Sequence, residues 1–121
     1  MNPGNCAMVL DQQVIAALRA DMDPEAFPDI LEMFIVELSE RLRGIALARD
    51  TSDHASLARE AHSLKGMSAT IGARSLNDSA LSLEMATREA DNNAIAPAIP
   101  GLHPAAEETL KEMTALRDSL D

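Results

Sequence analysis

The residues of this 121-residue chain that point to chemistry lie in one run, His62-Ser63-Leu64-Lys65-Gly66-Met67-Ser68-Ala69-Thr70-Ile71-Gly72-Ala73. His62 is the reactive candidate, because a neutral imidazole offers a nucleophilic nitrogen near neutral pH. On a helix its same-face neighbours are Ala55 and Ala58 before it and Gly66 and Ala69 after it. All four are too small to cover the ring, and Arg59 and Lys65 flank it at i−3 and i+3. Gly66 carries the most information. Glycine inside a helix costs ~1 kcal/mol relative to alanine, so an exposed one is explained best by an object that must come close to the backbone. An imidazole standing clear between two cations suits acceptance of an anionic group such as phosphoryl.

The elements that must hold this residue follow from apolar periodicity. Leu57, Ala61, Leu64, Ser68 and Ile71 recur at spacings of 4, 3, 4 and 3, which predicts a helix over about 54–71 with His62 pointing well away from its core stripe. Gly72 is placed to end it in the left-handed conformation. Leu76, Ala80, Leu83, Thr87 and Ala90 predict a second helix over about 74–91. A link as short as Gly72-Ala73 forces the two to be antiparallel neighbours. His62 and Glu84 then stand equally far from residue 73 and face each other. Two readings of Glu84 follow: a carboxylate that fixes the imidazole tautomer, or a solvated surface charge. Arg88, one turn further on, adds a third cation to the neighbourhood.

Around this hairpin the pattern predicts a short helix over about 10–20 and a long one over about 24–50. The long one opens with Asp23 as N-cap and Pro24 at the first helical position. Thr51-Ser52-Asp53 reads as a stop-and-cap cluster. Pro97, Pro100 and Gly101 make the segment from Asn92 to His103 read as a loop, leaving a last helix over about 104–120. Residues 1–9 are expected to be poorly ordered, and the rest to form a single domain. The fold class is all-α: an antiparallel four-helix bundle with a short extra N-terminal helix.

The run His62-x-Leu64-Lys65-Gly66-x-Ser68-x-x-x-Gly72-Ala73, followed by Leu76, Ala80 and Leu83-Glu84, resembles the histidine-containing phosphotransfer (HPt) domains of multistep phosphorelays. The sharp motif spans about 23 residues, and the helix pattern fits over nearly the whole chain. The resemblance implies a four-helix bundle whose histidine takes a phosphoryl group from a receiver-domain aspartate and passes it to another response regulator. It implies His62 as the phosphoacceptor through Nε2, and Lys65 and Gly66 as marks of the docking surface, to which Ala55, Ala58 and Ala69 add small residues. Receiver domains and a hybrid sensor histidine kinase are the implied partners. The Mg²⁺ of the reaction is implied on the receiver, with no cofactor bound by this chain. Some members hold a polar residue such as glutamine at position 84, where Glu84 here adds a negative charge. Position 80, often cysteine in the family, is Ala80.

Composition narrows the classes. Hydrophobic residues make up 46% of the chain, but only Phe27 and Phe34 are aromatic, a balance that favours helices over strands. A formal net charge of −10 argues against a non-specific nucleic-acid binder and against docking on an anionic membrane. No kinase or Walker-type nucleotide motif is present, so a phosphoryl carrier is expected rather than an enzyme. The sole cysteine, Cys6, cannot form an internal disulfide and is read as inert. The start, Met1-Asn2-Pro3-Gly4-Asn5, lacks a basic leader region, and no apolar run approaches the ~20 residues of a membrane span. A free-standing cytoplasmic protein, monomeric by default, is the expectation. His54 and His103 lack a ligand-like partner set, so no metal site is assigned. The runner-up is a helical adaptor that uses the same face without accepting phosphate. A hydrolase built on His62 and Glu84 fails because an open helix face offers no pocket to exclude water.

Overall fold

The structure is a computed structural model and describes residues 9–120. The expectation for Cys6, and that of poor order over residues 1–9 in all but its last residue, lie outside the described residues. Five helices follow in order: α1 (Gln12–Ala20), α2 (Ala26–Asp50), α3 (His54–Ile71), α4 (Arg74–Arg88) and α5 (Asn92–Ser119). Helices α2 to α5 form a ring in which each packs on the next and α5 closes back on α2, while α1 leans against α3. Connections of two or three residues make successive helices from α2 to α5 antiparallel.

Local chemistry sets the helix ends. The Asp53 side chain accepts from the Ser56 N–H at the start of α3. Gly72 ends that helix in the left-handed conformation at φ 79°, and the space is full as well as twisted: a Cβ there would lie 3.0 Å from Val14 Cβ of α1. Asp11 caps α1 through the Gln13 and Val14 N–H groups. Its own N–H donates to Gly72 O at 2.9 Å, and Leu10 pairs with Ala73 in an isolated bridge. Thus the hairpin turn that positions the site is also where α1 is fastened.

Three sequence expectations need correction. Helix α2 begins at Ala26, not at Pro24 with an Asp23 cap. Residues 24 and 25 form a turn in which the Ala26 N–H donates to Asp23 O, and Glu25 at the N-cap makes no side-chain capping bond. Pro28 then sits in the first helical turn, where its missing N–H is not needed. Helix α4 stops at Arg88 rather than near residue 91, because Ala90 turns left-handed at φ 52° and Asp91 caps the next helix.

The segment 92–103 is helical rather than a loop, and α5 runs unbroken through Pro97, Pro100 and Pro104. All three prolines are exposed, while Ile95, Ile99, Leu102 and Ala106 point into the core at spacings of 4, 3 and 4. The carbonyls deprived of donors therefore lie toward solvent, where water satisfies them, and the apolar stripe holds the helix.

The core is one continuous cluster of mostly aliphatic side chains, with Phe27 its only fully buried aromatic. Buried hydroxyls turn back onto their own helices: Ser68 Oγ donates to Leu64 O at 2.7 Å and Thr109 Oγ1 to Ala105 O at 2.7 Å. Glu84 is the only buried residue with an ionisable side chain among the described residues. A side chain of that kind needs partners.

Candidate functional site

Those partners sit at the middle of the α3–α4 hairpin. His62 projects from α3 with its side chain 65% exposed, and Glu84 lies across from it on α4 with its side chain only 4% exposed. The carboxylate oxygen Oε2 lies 2.8 Å from His62 Nδ1 and accepts from Arg88 Nη2 at 3.1 Å, one turn along α4. Lys65 Nζ reaches the other oxygen, Oε1, at 2.9 Å from one turn along α3. No other donor reaches that oxygen among the described residues, so the Lys65 ammonium is its ion-pair partner. The structure thus decides between the two readings of Glu84. It is a buried hub for the imidazole, the ammonium and the guanidinium.

The electrostatics follow from this arrangement. The Lys65 ammonium, helped by the His62 ring and the Arg88 charge, holds the Glu84 carboxyl at about 2 against an ordinary value of 4.5, even though burial pulls the other way. Glu84 is therefore ionised throughout the neutral range, and an ionised carboxylate only accepts hydrogen bonds. Nδ1 must carry the proton of the neutral ring, which leaves the Nε2 lone pair free on the exposed side chain.

The rest of the predicted set divides. Gly66 is exposed, and a Cβ built on it would meet nothing within 4 Å, so the protein itself gives no reason for a glycine there. Ala55 and Ala69 are exposed and Ala58 is half-buried, which leaves the ring uncovered on its own helix. Arg59 does not join the cluster: its Nη2 donates to Ser56 Oγ at 2.8 Å, beside the Asp53 cap. Ala80 is fully buried. His54 and His103 belong to no group of three or more potential metal ligands, and no such group occurs among the described residues.

Sequence reasoning missed two kinds of residue. Asn77 donates from Nδ2 to Lys65 O at 2.8 Å, stitching α4 to α3 beside the lysine. Leu81 and Met85 are 39% and 50% exposed on α4, directly flanking Glu84. Their signal was legible, since both are apolar yet fall off the core stripe of Leu76, Ala80, Leu83 and Thr87.

Comparisons with known proteins agree with the helical architecture. The Hpt domain family model matches residues 29–120, three quarters of the chain. The chain belongs to the Hpt domain family. A solved structure, that of histidine-containing phosphotransfer protein B from Pseudomonas aeruginosa PAO1, superposes with a TM-score of 0.87 at 27% identity, covering 93% of this chain and 97% of that one. A comparison with curated protein sequences gave no significant match. The Hpt domain has a phosphorelay histidine phosphotransfer role, that of a carrier rather than a kinase. No helix among the described residues is long and apolar enough to cross a membrane.

Proposed function

We propose that His62 is the phosphoacceptor of this Hpt domain, and that it relays the group between receiver-domain aspartates. The observation that carries the assignment is the buried Glu84 carboxylate 2.8 Å from Nδ1 of an otherwise exposed ring. In the forward step the Nε2 lone pair attacks the phosphorus of an aspartyl phosphate. A P–N bond forms, the P–O bond to the aspartate breaks, and the free carboxylate leaves. The ring then carries a positive charge with its proton on Nδ1, and Glu84 stabilises that charge where it develops. Transfer to the next receiver reverses the step.

Lys65 and Arg88 serve two anions. Both contact Glu84 in the resting protein, and both lie close enough to the ring to offer charge to a phosphoryl group on Nε2. The exposed Leu81 and Met85, with the bare helix face at Gly66, Ala69, Ala58 and Ala55, form the surface on which a receiver lies. In this reading the Mg²⁺ of the reaction is bound by that receiver, and the nucleotide chemistry is done by an upstream kinase. A hybrid sensor kinase as donor, a cytoplasmic location and a monomeric carrier complete the reading.

The test is incubation with phosphorylated receiver domains. Acid-labile, alkali-stable label is expected on the wild type and absent from His62→Gln. Label that persists on His62→Gln would overturn the assignment. Binding without label in both would favour a receiver-binding adaptor.

A further inference from the structure

A second feature lies at the far end of the same face. Helix α4 presents Asp78, Leu81, Met85 and Arg88 at spacings of 3, 4 and 3, all exposed, along one stripe beside the His62 face. The stripe is about 15 Å long at 1.5 Å per residue. Its charges are opposed. Arg88 stands at one end, where it reaches Glu84, and Asp78 stands at the other, sharing a cleft with Ser68 and Ala69.

Asp78 is a free charge. An Arg four residues earlier on a helix is its natural partner, and Arg74 occupies that position. Arg74 is instead turned to Asp11, the N-cap of α1. Among the described residues Asp78 has no ion-pair or hydrogen-bond partner. Beside it opens a cleft of about 400 Å³ between α1, α3 and α4, with Val14 and Ala69 as its apolar walls, Asn77 and Asp78 on one side, and Arg74, its charge engaged by Asp11, also in the lining. Ala69 also belongs to the docking face, one turn beyond Gly66, so cleft and face are continuous.

We propose that Asp78 is a specificity-determining residue: the cleft receives a lysine or arginine of the incoming receiver domain, its stem against Val14 and Ala69 and its head on the Asp78 carboxylate. This rests on the phosphotransfer reading and adds to it the charge pattern a partner must carry. A cognate receiver is basic where it meets α1 and the start of α4, and acidic where it meets Arg88. Fastening α1 through Asp11 is what keeps Arg74 from neutralising the acid.

The test measures phosphoryl transfer from each receiver domain that labels the wild type, over a range of receiver concentrations. Asp78→Lys should raise KM about tenfold at low ionic strength and leave the saturated rate in place, with the difference shrinking as salt screens the pair. Asp11→Asn, which keeps a capping side chain but frees Arg74, should shift KM in the same direction by less. An acidic residue in place of the receiver's contacting lysine or arginine should restore the KM of Asp78→Lys, a rescue that a merely structural role would not give. An unchanged KM for Asp78→Lys, or a rise that high salt leaves intact, overturns the assignment while the phosphotransfer reading stands. Absence of label on the wild type from every receiver would overturn both.

Discussion

Replacing Glu84 by glutamine should remove a defined part of the protein's sensitivity to acid. In the unfolded chain this carboxyl titrates at its ordinary value of 4.5, whereas in the fold it does so at about 2. Between those values the unfolded chain binds a proton that the folded chain refuses, so stability falls as the pH drops through the window. The contribution is complete above about pH 4.5 and gone below about pH 2. The full difference would be worth at most ~3 kcal/mol. The partners reduce it, because His62 and Arg88 are 65% and 68% exposed and solvent screens them. Lys65, at 29% exposed, retains more. An advantage of about 1–2 kcal/mol for the wild type at neutral pH is the expected size.

Urea unfolding followed by far-UV circular dichroism, repeated across that pH window for wild type and Glu84→Gln, isolates the term. Asp11 and Asp53, whose carboxyls are also held below their ordinary value by hydrogen bonds, act in both proteins and cancel. The stability gap should close as the pH falls from about 4.5 to about 2. A gap that stays constant, or widens with acid, would show that burial outweighs Lys65, Arg88 and the His62 hydrogen bond. The account of Glu84 as a stabilised hub would then be wrong.

Two exposed helical glycines make a controlled pair, since a Cβ on Gly66 or on Gly101 meets nothing within 4 Å. Alanine at either should stabilise the fold by ~0.5–1 kcal/mol in urea unfolding, but only Gly66→Ala, and more strongly Gly66→Gln, should slow transfer from a phosphorylated receiver. Equal transfer by wild type and Gly66→Gln would remove the close-approach explanation. Gly72→Ala should lower stability by about 1–2 kcal/mol in the same unfolding assay, because the site is left-handed and its space is taken by Val14 and Asp11. Gly44→Ala should be close to neutral: its Cβ would lie 2.5 Å from Glu60 Oε2, the end of a flexible side chain that can swing aside, and loosening its 2.9 Å pair with Arg41 offsets the gain in helix propensity. In an Arg41→Met background, where that pair is already gone, Gly44→Ala should be stabilising in urea unfolding, read as a double-mutant cycle.

The site was legible in the sequence because it lies within one helical hairpin with a two-residue link. Such a link fixes direction, and direction fixes the register that sets His62 against Glu84. The burial of Glu84 was not legible in the same way. Its position on the edge of the α4 stripe is compatible with both a buried and an exposed carboxylate, and only the converging Lys65, His62 and Arg88 side chains decide it. Arg59 shows the converse. Its spacing from His62 suits the cluster, but a nearer acceptor, Ser56 at the helix start, takes its guanidinium. The first half of α5 escaped for a different reason. Proline propensity is a local penalty, and it is outweighed when every proline faces water and an aliphatic stripe lies beneath.

The same competition among acceptors explains how an acidic protein keeps a basic site. With a net charge of −10, most cations have a carboxylate within reach, and Arg41, Arg49, Arg74 and Arg117 are each paired with one. At His62 three cationic or protonatable groups share a single carboxylate. One negative charge cannot neutralise Lys65 and Arg88 together, so the cluster retains a net positive charge even with a neutral ring. Burying Glu84 keeps it beneath the ring rather than beside Nε2, where it would repel a phosphoryl group. A glutamine would preserve a hydrogen-bonding partner for the imidazole but not the stabilised positive ring. On the proposed assignment of His62 as phosphoacceptor, position 84 is therefore where the protein would set how strongly it favours the phosphorylated histidine.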